Sequence, residues 1–222
     1  MVTEPAHPLG LFVGHWLPLS ETFVHDQIQR QQRFQASVLA KGRTRYADRF
    51  PYRRVTALGA VESAWYQLSG RSRTFGRVLG ELSPRLLHAH FGTNGVLALP
   101  FAEALGCPLA VTFHGHDVSG MLPRNRYTLR YGRYQLLAPR MLQRADLLLC
   151  ASRELADILV RQLGAPEHKV RVHYLGVDLE RFRPEHRADA PLRALMVGRM
   201  VEKKGMGYGI SAFARVHGEL PD

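Results

Sequence analysis

Residues 108–117, PLAVTFHGHD, decide the fold. Leu109, Ala110, Val111 and Phe113 make an apolar, β-branched run of the length of a fully buried strand, and it ends abruptly in His114-Gly115-His116-Asp117. An interior strand thus delivers titratable groups to its carboxyl end. In open parallel α/β sheets that edge binds ligands, because loops leaving neighbouring strands open a crevice there. Gly115, between two histidines, implies a sharp backbone turn or a close approach by another group.

Working outward, residues 86–91 (LLHAHF) read as the preceding strand, and residues 93–105 as a helix that Pro100 kinks or interrupts and Gly106 stops. Residues 9–13 are the first strand. After the loop Gly14-His15-Trp16 a helix is expected, with Ser20 as N-cap, Glu21 in its first turn, and Phe23, Val24 and Ile28 supplying an apolar side up to Phe34. Short strands at 37–40 and 55–58 flank the arginine-laden KGRTRYADRFPYRR, which reads as an exposed connection, and residues 61–82 look helical with a weak point at Gly70.

Downstream, residues 122–144 form a basic and aromatic helix in which Arg126, Arg130 and Arg133 share a side and Pro139 breaks or bends the axis. Residues 146–151 are a buried strand, Ser152 caps a helix over 153–163, Gly164 ends it, and 169–174 is the next strand. Residues 176–191 are charged, proline-bearing and aperiodic, and the domain boundary belongs there. The expected division is a first domain over 1–184 and, over 185–222, a linker with the first strand (192–197) and helix (205–217) of an incomplete second one. Strands alternating with helices in this way specify an α/β protein with a doubly wound, mostly parallel, Rossmann-like sheet.

The totals bound the function. A chain of 222 residues with 45% hydrophobic content can bury one substantial core. Its net charge of +11 comes mostly from arginine, with four lysines, Lys41, Lys169, Lys203 and Lys204. That balance favours an anionic partner: nucleic acid, an acidic membrane surface or a phosphorylated small molecule. Cys107 and Cys150 lie far apart with no CxxC spacing, as expected of buried thiols in a reducing cytoplasm. Residues 1–20 do not read as a signal peptide, and no apolar run approaches the roughly 20 residues that span a bilayer, so any membrane association is expected to be peripheral.

Four histidines lie at two strand ends, His88 with His90 and His114 with His116. Residues two apart on a strand share a face, so each pair could present two imidazoles together, and a metal-dependent hydrolase is one reading. The HGHD stretch lacks the final histidine of an HxHxDH pattern. The packed alternative for His88 is a core histidine. His90 precedes Phe91-Gly92-Thr93-Asn94, a helix start whose amides could bind an anion. His114, a neutral imidazole beside glycine, suits hydrogen bonding to a hydroxyl, and Asp117 either acts in the site or caps a turn. Further on, Gly198-Arg199 and Lys204-Gly205 bring two cations and free amides to one spot, an arrangement suited to a diphosphate although no Walker spacing is present. A basic nucleic-acid-binding module is the other reading, with Tyr127, Tyr131 and Tyr134 as the nearest approach to stacking residues.

Taken together, LSETFV at 19–24, HAHFG at 88–92, VTFHGHD at 111–117, YLGVDLERFRP at 174–184 and VGRMVEKKG at 197–205 resemble the retaining family 4 glycosyltransferases of the GT-B fold, in their exopolysaccharide and colanic-acid branch. The resemblance covers nearly the whole chain. It implies an amino-terminal domain that receives the acceptor and a carboxyl-terminal domain that holds the nucleotide sugar. By similarity His114 meets the transferring sugar and Arg199 and Lys204 contact the donor diphosphate. Ser20, Glu21, Thr22, His90 and Asp117 belong to the acceptor side or the cleft. No cofactor or metal is implied. The expected partners are a nucleotide sugar, a lipid-linked or polysaccharide acceptor and an anionic membrane surface, not nucleic acid. The expected location is cytoplasmic, peripheral at the inner membrane. The family's EX7E-type segment would lie beyond Asp222, so the chain as written is expected to be inactive or weakly active.

Overall fold

A computed structural model of the chain describes residues 6–122, 132–183 and 193–219. The chain divides into two compact units, Met1–Gly176 and Val177–Asp222.

The first unit holds seven strands, β1 (His7–Val13), β2 (Phe34–Ala40), β3 (Val55–Ala57), β4 (Leu86–His90), β5 (Leu109–Phe113), β6 (Leu147–Cys150) and β7 (Val170–Val172). They form a single sheet in the order β3-β2-β1-β4-β5-β6-β7 with every pairing parallel. This is the doubly wound α/β arrangement expected from the alternation of elements. The helices are α1 (Thr22–Gln29), α2 (Ala60–Ser69), α3 (Arg73–Leu82), α4 (Gly92–Leu105), α5 (His116–Met121), α6 (Gly132–Arg144) and α7 (Arg153–Arg161).

Side-chain alternation along β1 separates two cores. Leu9, Leu11 and Val13 pack with Val24 and Ile28 of α1, whereas Phe12 joins Phe75, Leu79 and Leu87 under α3 and α4. Because Leu87 and Ala89 belong to the second core, His88 and His90 on the same strand face the α1 side. The strand face that opens the site is thereby fixed by register.

Several elements differ from the sequence reading for identifiable reasons. Ser20 does not cap α1. It lies in a 3-10 turn, Leu19–Glu21, and neither Pro18 before that turn nor Glu21 before α1 makes a side-chain cap bond. Phe34 opens β2 instead of closing α1, which stops at Gln29. Pro100 sits exposed within a continuous α4, whose Leu97, Ala98, Leu99 and Ala102 are buried, so tertiary packing outweighs the missing hydrogen bond. The weak point at Gly70 is a true break: Gly70 is left-handed (φ 74°), and Ser72 caps α3 by accepting from Phe75 N at 3.0 Å. The arginine-rich connection is partly packed, since Ala47 is buried and the Tyr52 hydroxyl donates to Ala36 O at 2.7 Å.

The second unit, by itself, contains a 3-10 turn, Glu202–Lys204, and the helix α8 (Met206–Glu219). Of the strand expected over 192–197, residue 192 lies outside the described residues and 193–197 make no ladder. A lone extended segment has no edge to pair with, and pairing is what stabilises a strand.

Candidate active site

The strand order reverses direction between β1 and β4. The chain leaves β1 toward β2 through α1, and leaves β4 toward β5 through α4, so the two connections diverge and leave a crevice over the carboxyl ends of the central strands. Gly14 and His15 follow β1, Lys41 follows β2, His90 ends β4 and His114 follows β5.

Three imidazoles form a file that runs from this rim into the interior. His88, buried, shares a 2.7 Å hydrogen bond between its Nε2 and Thr112 Oγ1. Its ring centroid lies 4.6 Å from that of His90, and His90 Nδ1 is 3.0 Å from His114 Nε2, the two rings stacked at 22°. Phe91 and Phe23, the latter carried in by α1, lie 4.5 Å and 4.8 Å from the His114 ring. Burial pushes His88 and His114 down to about 4 and His90 well below its ordinary value, with neighbouring histidines adding to the shift at His88 and His90. The file is therefore uncharged at neutral pH. Neither ring nitrogen of His114 faces solvent in this arrangement: Nε2 meets His90, and Nδ1, like His90 Nε2, is buried without a hydrogen-bond partner. A half-turn of the His114 ring about Cβ–Cγ exchanges Nδ1 with Cδ2 and Nε2 with Cε1, and so gives up the contact with His90.

Asp117 is 2% exposed and serves the backbone. Its Oδ2 accepts from Gly92 N at 2.8 Å, and its Oδ1 from Gly115 N at 3.0 Å and His114 N at 3.1 Å. Burial raises its pKa, while hydrogen bonds from the amides of Gly92, His114, Val118 and Asp117 itself oppose the rise. The amide of Gly92 at the start of α4 is thus taken by the protein's own carboxylate. Asp117 ties the turn after β4 to the turn after β5, which sets the spacing of His90 and His114. Of the two readings of Asp117, the turn-holding one describes its contacts. Gly92 is required for a second reason, since a Cβ there would lie 2.7 Å from Phe113 Cε1 and collide with the Tyr134 hydroxyl.

Lys41 is the residue that sequence reading passed over. Its stem crosses the end of β1, where a Cβ on Gly14 would lie 4.0 Å from both Lys41 Cε and Asn94 Nδ2. Burial lowers the ammonium's pKa, Glu21 opposes the shift, and Lys41 makes no ion pair or ammonium hydrogen bond among the described residues. Reciprocally, burial raises Glu21, and Lys41 opposes it; His15 is lowered by burial and by Lys41. A desolvated cation and a desolvated carboxylate near each other without an ion pair are each left short of polar partners. The available signal was that Lys41 is the sole lysine before residue 169 in an arginine-rich chain and follows a strand directly.

The other expected residues are placed as follows. Ser20 is exposed, and Glu21 and Thr22 are half-buried at the start of α1. His116 does not pair with His114, because β5 ends at Phe113, Gly115 turns at φ 107°, and His116 opens α5 on an exposed position. No group of three or more His, Cys, Asp or Glu among the described residues is arranged to hold a metal. Tyr127, Tyr131, Arg126 and Arg130 lie outside the described residues, while Tyr134 is buried in the helical core and unavailable for stacking on a base. In the second unit, Arg199 and Lys204 are both exposed, and the Lys204 stem passes 3.8 Å from where a Cβ on Gly198, next to Arg199, would lie.

Known proteins are similar to this chain in sequence and in fold. The family model described as Glycosyltransferase Family 4 matches residues 20–181. A protein of Escherichia coli K12, WcaL, named as a colanic acid biosynthesis glycosyltransferase, is 36% identical over 128 residues, a stretch covering 56% of this chain and 30% of that relative. The sucrose-phosphate synthase of Thermosynechococcus elongatus superposes with a TM-score of 0.67 at 17% identity, covering 95% of this chain and 60% of that one. HepE from Anabaena, in complex with UDP-glucose, superposes with a TM-score of 0.58 at 16% identity over 78% of this chain and 45% of its own. The two superpositions speak to the fold.

Proposed function

The chain belongs to glycosyltransferase family 4, and we propose that it forms the acceptor side of a retaining enzyme that moves a hexose from a nucleotide sugar to a lipid-linked or polysaccharide acceptor. The observation that carries this reading is the uncharged, half-buried His114 just past the carboxyl end of β5, stacked on the buried His90. An imidazole held neutral exchanges hydrogen bonds with a sugar hydroxyl without attracting a counter-ion.

In front-face retention the acceptor hydroxyl enters on the side from which the nucleoside diphosphate departs, and a phosphate oxygen takes its proton. The enzyme then needs position and charge stabilisation and no protein nucleophile. In this proposal His114 orients the transferring sugar, and Glu21 and Lys41 engage polar groups of the acceptor. Arg199 and Lys204, at the start of a nucleotide-sugar domain opening near residue 185, neutralise the departing diphosphate. The UDP-glucose bound by HepE supports a nucleotide-sugar donor, and the colanic acid assignment of WcaL supports a surface-polysaccharide product. No described helix is long and apolar enough to cross a membrane. A lipid-linked acceptor would be met by contact with the anionic inner face of the membrane.

The test is transfer of radiolabelled sugar from a set of UDP-sugars to a membrane extract. His114→Ala is expected to reduce turnover roughly 100-fold, the scale of losing one oriented transition-state hydrogen bond, and His116→Ala to leave it unchanged. Equal activity of wild type and His114→Ala, where wild-type transfer stands above background, removes the basis of the assignment.

A further inference from the structure

Helix α2 is apolar on both sides. Ser63, Tyr66 and the following Gly70 face the core, as a helix over a sheet requires, but Val61, Trp65 and Leu68 at i, i+4 and i+7 form a second stripe, exposed by 86%, 58% and 71%. A solvated helix face carries charge instead. Beside the stripe runs a groove of about 940 Å³ whose lining includes Trp65, Arg71, Arg73, Pro100 and Phe101. The rim is cationic. Arg71, Arg73 and Arg77 are exposed, and Arg133 reaches over to donate to Gln67 O on α2 itself. The one carboxylate of α2, Glu62, is engaged by the hydroxyls of Ser72 and Thr74 and by the Thr74 amide.

We propose that the outer face of α2 is the surface by which the chain docks on an anionic lipid bilayer, Trp65 and Leu68 entering the headgroup region while Arg71, Arg73, Arg77 and Arg133 meet lipid phosphates. Charge complementarity selects this occupant, since Arg71 and Arg73 line the groove with Trp65, Arg133 reaches α2 itself and Arg77 lies near Glu62 of that helix, a cationic flank that calls for an anionic plane. A stripe three side chains long is too narrow for the apolar core of a stable protein–protein interface. Tryptophan between an apolar layer and a charged rim is the residue suited to the depth where acyl chains meet headgroups. This inference rests on the peripheral-membrane part of the proposed function and assigns it to a face.

The chain carries its own reporter. Of its two tryptophans, Trp16 is fully buried and Trp65 is exposed. Flotation with vesicles of phosphatidylglycerol and phosphatidylcholine, against phosphatidylcholine alone, measures binding, and brominated acyl chains in the same vesicles quench a tryptophan that enters them. Binding to the anionic vesicles with quenching that disappears in Trp65→Phe supports the assignment. Joint replacement Trp65→Gln and Leu68→Gln lowers the partition coefficient roughly tenfold, and Arg71→Gln lowers it about fivefold. Tyr174→Ser, which removes an exposed ring following the edge strand β7, leaves it unchanged. Flotation without quenching overturns the α2 face and leaves the peripheral reading standing. Absence of flotation from both kinds of vesicle overturns both. Sedimentation showing Trp65-dependent self-association without lipid overturns the lipid occupant in favour of a second copy.

Discussion

Replacing Asp117 by alanine tests how the candidate site is held together. The substitution strands three amide donors, that of Gly92 buried and those of His114 and Gly115 partly buried, now bonded at 2.8, 3.1 and 3.0 Å. An orphaned buried donor costs about 1–3 kcal/mol. The sum is reduced because the variant no longer buries a carboxylate, so a net loss of about 4 kcal/mol is expected. Both tryptophans lie in the first unit, so their emission during urea unfolding reports on that unit alone. With a urea m-value of about 2 kcal/mol/M the midpoint falls by about 2 M. Asp117→Asn keeps one accepting oxygen and turns an amide nitrogen toward the other donors, so about half the loss is expected. Hydrogen exchange at Gly92 and Gly115 should accelerate in both variants. A midpoint shift under about 0.5 M for Asp117→Ala would show that these amides find other partners, and the tether between the two turns would be refuted.

Acid should destabilise the first unit. His88 and His114 are held at about 4 when folded against 6.5 ordinarily, so the unfolded chain binds the extra protons. The stability they contribute is complete above pH 6.5 and is lost as pH falls toward 4. Between pH 7.5 and 5, and discounting the partly exposed His114, roughly 3 kcal/mol should disappear. Urea midpoints across that range test it, and a flat profile contradicts it. Gly92→Ala forces apart Phe113 and Tyr134 at the start of α4, at a cost of about 1–3 kcal/mol, read by the same unfolding assay; an unchanged midpoint denies the close approach. Lys41→Met removes a desolvated cation without an ion-pair partner, so the melting temperature should hold or rise while acceptor KM increases in the transfer assay. A clear drop in melting temperature would mean that Lys41 holds the fold.

Legibility followed the range of the interactions. β5 was readable because a buried strand announces itself by an unbroken apolar run, and the Gly70 break by the residues that end one helix and begin the next. Ser20 was misread because capping depends on the backbone angles of the turn before the helix, which sequence pattern does not set. His114 and His116 were read as a pair because alternation assumes a continuing strand, and the strand stops one residue before His114. Lys41 carried only a compositional hint, since its burial depends on Gly14 and Glu21, 20 or more positions away in the chain.

The sequence by itself determined the α/β alternation, the sheet edge that holds the chemistry, and family membership through five ordered motifs, because each follows from local periodicity or near-neighbour pattern. Only tertiary structure decided that Asp117 serves three amides, that three histidines form an uncharged file, that Lys41 faces Glu21 without pairing, and that α2 turns a tryptophan outward. Each of those depends on which residues from distant segments meet, and on how much water their meeting excludes.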